Sequence, residues 1–307
     1  MIITRLKGGL GNQMFQYAAG LALAHQRRTV LKLDVSWFRE DLEYEAHNHY
    51  GLSCFNILEQ FATEEEVSRV QGFQLTRTER WSVSIARTLR FYRYVKHHAS
   101  KGHWHRQAIF KPYPEFLTLP DPTYLDGMWQ SEGFFGPVAD LLRLHFTFRY
   151  PAPAAVNQIA THIRSVPSIA IHFRRGDYAR NVSFNREIGV LDLDYYQRAA
   201  ARMRERYPTA TFFIFSDDID AVERDFRPPG PHTFVRAAQA WNSFDNLRLM
   251  SLCQHAVIAN STFSWWAAWL NANPAKSVIA PDPWFAKSEH DTSEVVPASW
   301  LRLSASR

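Results

Sequence analysis

Ile2-Ile3-Thr4-Arg5-Leu6, then Gly8-Gly9-Leu10-Gly11-Asn12, then Gln13 to Gln26, then Val30–Leu33 follow one another at the start of the chain. The first and last are short β-branched and apolar runs, which predict strands. Between them Met14, Tyr17, Ala18, Leu21 and Ala22 recur at the helical period. The glycine-rich stretch predicts a non-helical turn running straight into a helix N-terminus, where backbone N–H groups can approach an anion. A tight turn before a well-packed helix would use the same glycines. The loop is neither G-x-G-x-x-G nor followed by Gly-Lys-Ser/Thr, so neither a dinucleotide fingerprint nor a P-loop is supported.

This βαβ opening is continued further on. Strands are expected at Ser168–Arg174, Thr211–Ser216, Phe234-Val235, Ala256–Ala259 and Val278–Ala280. Helices are expected at Tyr195–Tyr207, Ile219–Phe226, Asn246–Cys253 and Ser264–Leu270. Strands alternating with helices imply a parallel, doubly wound α/β sheet. Earlier, Glu64–Val70 reads as a helix capped by Thr63, and Glu132–Leu144 also reads as helical. Phe110 to Asp126 is interrupted by four prolines and reads as extended or looped. Pro151-Ala152-Pro153 is the best boundary, dividing the chain into 1–152 and 153–307. Two such domains would place a ligand cleft at the carboxyl ends of their strands.

Composition agrees with two folded domains. The chain has 307 residues, 46% of them apolar, which excludes a disordered protein. Two cysteines, Cys54 and Cys253, exclude a disulfide framework and suit a reducing cytoplasm. No secretory signal is read at the N-terminus, and no apolar run is long enough for a membrane span. The net charge of +5 is concentrated. Residues 77–106 hold eight Lys/Arg against Glu79, a local +7, leaving −2 for the rest. Within that window Trp81, Ile85, Leu89 and Tyr92 suggest a basic amphipathic helix from about Arg80 to Lys96. It could touch an anionic membrane surface or simply pack on the first domain. An RNA-binding role for the patch has no recognition motif behind it.

Several segments carry chemistry. His172-Phe173-Arg174-Arg175-Gly176-Asp177 ends an apolar strand, where open sheets bind ligands. Two adjacent arginines there match a phosphate bidentately, or form a surface cluster with Asp177. Asn260-Ser261-Thr262-Phe263-Ser264 starts a helix, suited to capping and to phosphate alike. Trp265 and Trp266 behind it read as packing. Asp192-Leu193-Asp194 and Asp218-Ile219-Asp220 have the D-x-D spacing of a metal–diphosphate site, but they precede helices, where Asp caps. Asp217 and Asp218 end a strand, within reach of a ribose or base. The scattered histidines lack a zinc framework, and no G-x-S-x-G elbow is present.

Taken together, Gly8-Gly9-Leu10-Gly11-Asn12-Gln13-Met14-Phe15-Gln16-Tyr17-Ala18, His172-Phe173-Arg174-Arg175-Gly176-Asp177-Tyr178 and Ile258-Ala259-Asn260-Ser261-Thr262-Phe263-Ser264-Trp265-Trp266 resemble the bacterial α-1,2-fucosyltransferases of glycosyltransferase family 11. Gly127-Met128-Trp129-Gln130-Ser131-Glu132, Phe215-Ser216-Asp217-Asp218 and Leu249-Met250-Ser251-Leu252-Cys253 extend the match. The resemblance implies a GT-B-like fold of two Rossmann-like domains, acceptor-side at 1–152 and GDP-sugar-binding at 153–307. It implies GDP-β-L-fucose as donor, inverting transfer to a galactose 2-hydroxyl on an oligosaccharide or glycolipid precursor, and no metal or other cofactor. It assigns Gly9, Gly11, Asn12, His172, Arg174, Arg175, Asp217, Asp218, Asn260, Ser261, Thr262 and Phe263 to the donor. Asp126, Trp129, Gln130 and Glu132 fall to the acceptor. Arg174, Arg175 and Asn12 would assist catalysis, with Asp177 as candidate base and Asp126 or Glu132 as alternatives. The family's usual acid before its Leu-Met-Ser helix is here Asn246, with Asp245 one place earlier. A cytoplasmic enzyme, peripheral at the inner membrane face through 81–96, is the resulting expectation. Transfer to another hydroxyl or to a protein, and a non-catalytic glycan-binding relative, are the alternatives.

Overall fold

The computed structural model of the chain describes residues 1–39, 49–71, 104–106, 112, 115–175, 189–236, 241–286 and 291–305. The basic segment 81–96 lies outside them, as do Gly176 and Asp177.

Strand β1 (Ile2–Arg5), helix α1 (Leu10–Arg27) and strand β2 (Leu31–Asp34) form the expected βαβ unit, with β1 and β2 parallel. Strand β3 (Trp104–Arg106) and β4 (Thr123–Asp126) complete a four-stranded parallel sheet in the order β2-β1-β4-β3. The proline-rich stretch, expected to be extended or looped, ends in a buried central strand, because Pro120 and Pro122 lie just ahead of β4 and leave its backbone donors intact. Helix α2 (Glu64–Val70) starts at Thr63 as expected, with a complete Thr63–Glu66 capping box.

The expected helix over Glu132–Leu144 is broken. Two 3₁₀ turns, Glu132–Phe134 and Gly136–Val138, precede helix α3 (Ala139–His145). Gly133, Gly136 and Pro137 supply the breaks.

Helix α4 (Ala154–Ser165) leads to the second sheet. Its strands are β5 (Ser168–Phe173), β6 (Thr211–Ser216), β7 (His232–Phe234), β8 (His255–Val257), β9 (Val278–Asp282) and β10 (Leu301–Ser304). All pair in parallel, in the order β10-β9-β8-β5-β6-β7. Two Rossmann-like parallel sheets, the GT-B-like class expected, are thus what the chain has. Every residue of β5 is buried, as befits a central strand covered on both faces. Ile169, Ile171 and Phe173 pack on α5 (Leu193–Arg206) and α6 (Ile219–Asp225). Ala170 points the other way, into the core shared with α7 (Ser243–Leu252), α8 (Thr262–Leu270) and the first half of the chain.

That larger core is continuous across the two halves. Phe15 of α1 lies 4.6 Å from Trp265 and 4.8 Å from Trp266, ring centre to ring centre. Phe135 stacks on Trp266 at 5.3 Å. The tryptophans are therefore packing residues, as expected, and the halves meet through α1 and α8 as well as through the linker.

Candidate functional site

Because each sheet is parallel, all carboxyl ends of its strands lie on one edge. In the second sheet, β5 ends at Phe173, β6 at Ser216 and β8 at Val257. Arg174 and Arg175 step off β5 there, and Asp217 steps off β6. The Asp217 carboxylate accepts the Arg175 backbone N–H at 2.9 Å and pairs with Arg174 Nη1 at 3.2 Å. Arg175 Nη1 instead reaches Asp225, the last residue of α6, at 3.3 Å. The two guanidiniums thus have separate partners. Two cations face two carboxylates, all within a part-exposed edge.

His172 precedes the arginines and is buried, its ring 5.9 Å from that of Phe263 at the start of α8. Burial pushes its imidazole down to about 4, with Asp217 opposing and Arg174 assisting. It is therefore neutral near pH 7, and its Nδ1 has no hydrogen-bond partner among the described residues.

The first half meets this edge through its glycine loop. Gly8 sits at φ +72°, a conformation that side chains rarely adopt. Gly9 is the N-cap of α1, so the helix starts at Leu10 and takes in Gly11 and Asn12, which were expected to lie in the turn. Gly11 has a separate reason to be glycine. A β-carbon there would lie 2.6 Å from both Phe263 N and the carbonyl carbon of Thr262. The Trp266 indole N–H also donates to the Gly11 carbonyl at 3.0 Å. The starts of α1 and α8 are thus pressed together, and Ser261, Thr262 and Phe263 stand beside the glycine loop.

Asn12 accepts a hydrogen bond from Gln130 at 3.1 Å, joining two residues assigned to donor and acceptor. Asn260 donates to the Gly189 carbonyl at 2.9 Å. Asp218 caps α6 through the Ala221 N–H at 3.3 Å. Asp192 caps α5 through Tyr195, Asp194 pairs with Arg198, and Asp220 pairs with Arg236. The D-x-D pairs are therefore caps and surface ion pairs. Among the described residues no group of three metal-ligating side chains is assembled.

Some acceptor-side candidates are differently placed. Trp129 is fully buried, packed on Phe116 and Phe134 at 5.3 Å each. Asp126 is buried against Lys7 at 2.7 Å, with Arg5 at 3.8 Å. Glu132 is half-buried at the first 3₁₀ turn. Asp245 is completely buried and closes a capping box with Asn242 at the start of α7, while the adjacent Asn246 is half-buried.

Residue types alone did not reveal two supports. Gln13 donates to the Gly8 and His49 carbonyls and accepts from the Gly51 N–H. Gln16 makes a two-way contact with the Lys7 backbone. Buried polar residues three apart on an otherwise apolar helix face were the available signal. Asp225, which holds Arg175, carried none.

A family model described as Glycosyl transferase family 11 matches residues 1–302. Alpha-1,2-colitosyltransferase of Escherichia coli is 30% identical over 309 residues, covering 99% of each chain. O-antigen biosynthesis glycosyltransferase WbnK of Escherichia coli is 29% identical, covering 97% of this chain and 99% of that protein. Human galactoside alpha-(1,2)-fucosyltransferase 1 is 26% identical over 204 residues, which is 62% of this chain and 55% of that one.

Proposed function

The chain belongs to glycosyl transferase family 11, and from that premise we propose that it transfers L-fucose from GDP-β-L-fucose, with inversion, to the 2-hydroxyl of a terminal galactose. The acceptor is an oligosaccharide or glycolipid precursor. The observation that carries this reading is the arginine pair at the carboxyl end of β5, just beyond His172, whose ring lies 5.9 Å from that of Phe263 at the start of α8. Breaking the bond from sugar to phosphate leaves charge on the nucleoside diphosphate and makes the sugar oxocarbenium-like. Fixed cations and N–H dipoles stabilise that charge without reorganising. Arg174 and Arg175 supply the cations, and the α8 start at Ser261-Thr262 supplies dipoles. The glycine loop and Asn12 close over the donor from the first half. The neutral His172 lies toward the nucleotide. Asp177, two residues beyond Arg175, is the candidate base for the acceptor hydroxyl.

Two relatives with α-1,2 in their printed names support the linkage. The colitosyltransferase likeness also favours a second reading, in which colitose replaces fucose as the transferred sugar. One experiment tests both. Release of GDP is measured with GDP-fucose and with GDP-colitose over a panel of galactosides, with and without excess EDTA. Acceptor-dependent release with GDP-fucose, unaffected by EDTA, is the expected result. Release with GDP-colitose alone selects the second reading, and release with neither donor overturns both.

A further inference from the structure

Each guanidinium of the arginine pair already has a carboxylate partner. Arg174 and Arg175 face Asp217 and Asp225. A diphosphate brings additional negative charge to the same guanidiniums, and it competes first with the carboxylate that is more weakly held. The two carboxylates are not equally held. Asp217 has two contacts on this segment, the Arg175 N–H at 2.9 Å and Arg174 Nη1 at 3.2 Å. The first is to backbone and fixes how the chain leaves β5. Asp225 has a single contact to Arg175, at 3.3 Å, and both side chains are about one-third exposed. Such a pair is worth little, being solvated and screened. Asp225 also ends its helix and lies 3.4 Å from Arg224 Nε, which can keep its charge compensated after Arg175 has left.

We propose that Asp225 is the exchangeable counter-ion of Arg175. The donor diphosphate displaces it on binding, and it recaptures the guanidinium as the nucleoside diphosphate leaves. Asp217 stays in place throughout as the splint of the arginine segment. This inference rests on the reading that the arginine pair holds the donor diphosphate. Asp225 competes with the ligand, so removing its charge strengthens nucleotide binding.

The test is calorimetric titration of GDP into wild type, D225N, R175A and the double variant, at low and at high salt. D225N is expected to bind GDP about two- to fivefold more tightly at low salt, the range set by an exposed ion pair. The gain should shrink at high salt, as screening shortens the reach of both charges. It should also vanish in the R175A background, because there is no guanidinium left to release. Equal or weaker binding by D225N overturns the exchange, and so does a gain that persists without Arg175. Wild-type protein that binds GDP while D225N gains nothing leaves the functional reading standing. Wild-type protein that binds no GDP overturns both.

Discussion

Gly11→Ala isolates what the contact between the two halves does. The added methyl carbon would meet Phe263 N, the Thr262 carbonyl carbon and Thr262 Oγ1, all at 2.6 Å. Two of these are backbone atoms at the first turn of α8, so turning the Thr262 side chain away does not relieve the clash. Ordinary carbon contacts lie near 3.5–4.0 Å, so α1 and α8 must part by roughly 1 Å at this point. Overpacking of that kind costs about 1–3 kcal/mol. At the unfolding entropy of a 307-residue chain, each kcal/mol is worth roughly 1.5 °C, so Tm should fall by about 2–5 °C. The effect on activity should be larger. Ser261 and Thr262 would shift relative to the arginine segment, and a displacement of 1 Å costs about 100-fold in rate. Thermal unfolding and kcat/KM with the preferred donor measure the two effects. Gly136→Ala is the control, since nothing lies within 4 Å of a β-carbon there. A G11A protein with wild-type kcat/KM would refute the idea that the apposed helix starts form the donor site.

Arg175→Ala should retain its fold, because its ion pair is part-exposed, yet lose at least about 100-fold in kcat, as for other transition-state donors; circular dichroism and turnover check both halves of that statement. His172 has a folded pKa of about 4 against about 6.5 when unfolded. Between those values the unfolded chain binds the extra proton, so stability falls as pH drops, by about 2 kcal/mol between neutrality and pH 5. Urea unfolding of His172→Gln at the two pH values should show that much less acid sensitivity, with the lowered His145 and His255 still contributing. Trp266→Phe removes the bond to the Gly11 carbonyl and part of a fully buried ring. It should cost about 2 kcal/mol, read as a drop of roughly 3 °C in Tm.

Much of this architecture was legible in the chain because parallel strands alternate with amphipathic helices, and both periodicities are local. The strand Ser168–Phe173 and the cap at Thr63 depend only on neighbours in sequence, and they appear as expected. Glu132–Leu144 misled because its apolar spacing is helical while Gly133, Gly136 and Pro137 break the backbone. Helix α1 begins earlier than its glycines suggest because Gly11 is kept for a contact with Thr262 and Phe263, far along the chain. Trp129 and Asp126 were placed by motif position, which does not report burial or an ion pair with Lys7. Asp225 was invisible for the same reason, since its partner is fifty residues away.

The aromatic wall shared by Phe15, Phe135, Trp265 and Trp266 also limits how this molecule can be recombined. A chimera joining residues 1–152 of one relative to 153–307 of another would graft half of a single interlocked surface onto a foreign counterpart. Transplants that keep helices α1 and α8 from the same parent preserve that match, whereas a cut at the proline-flanked linker alone divides it.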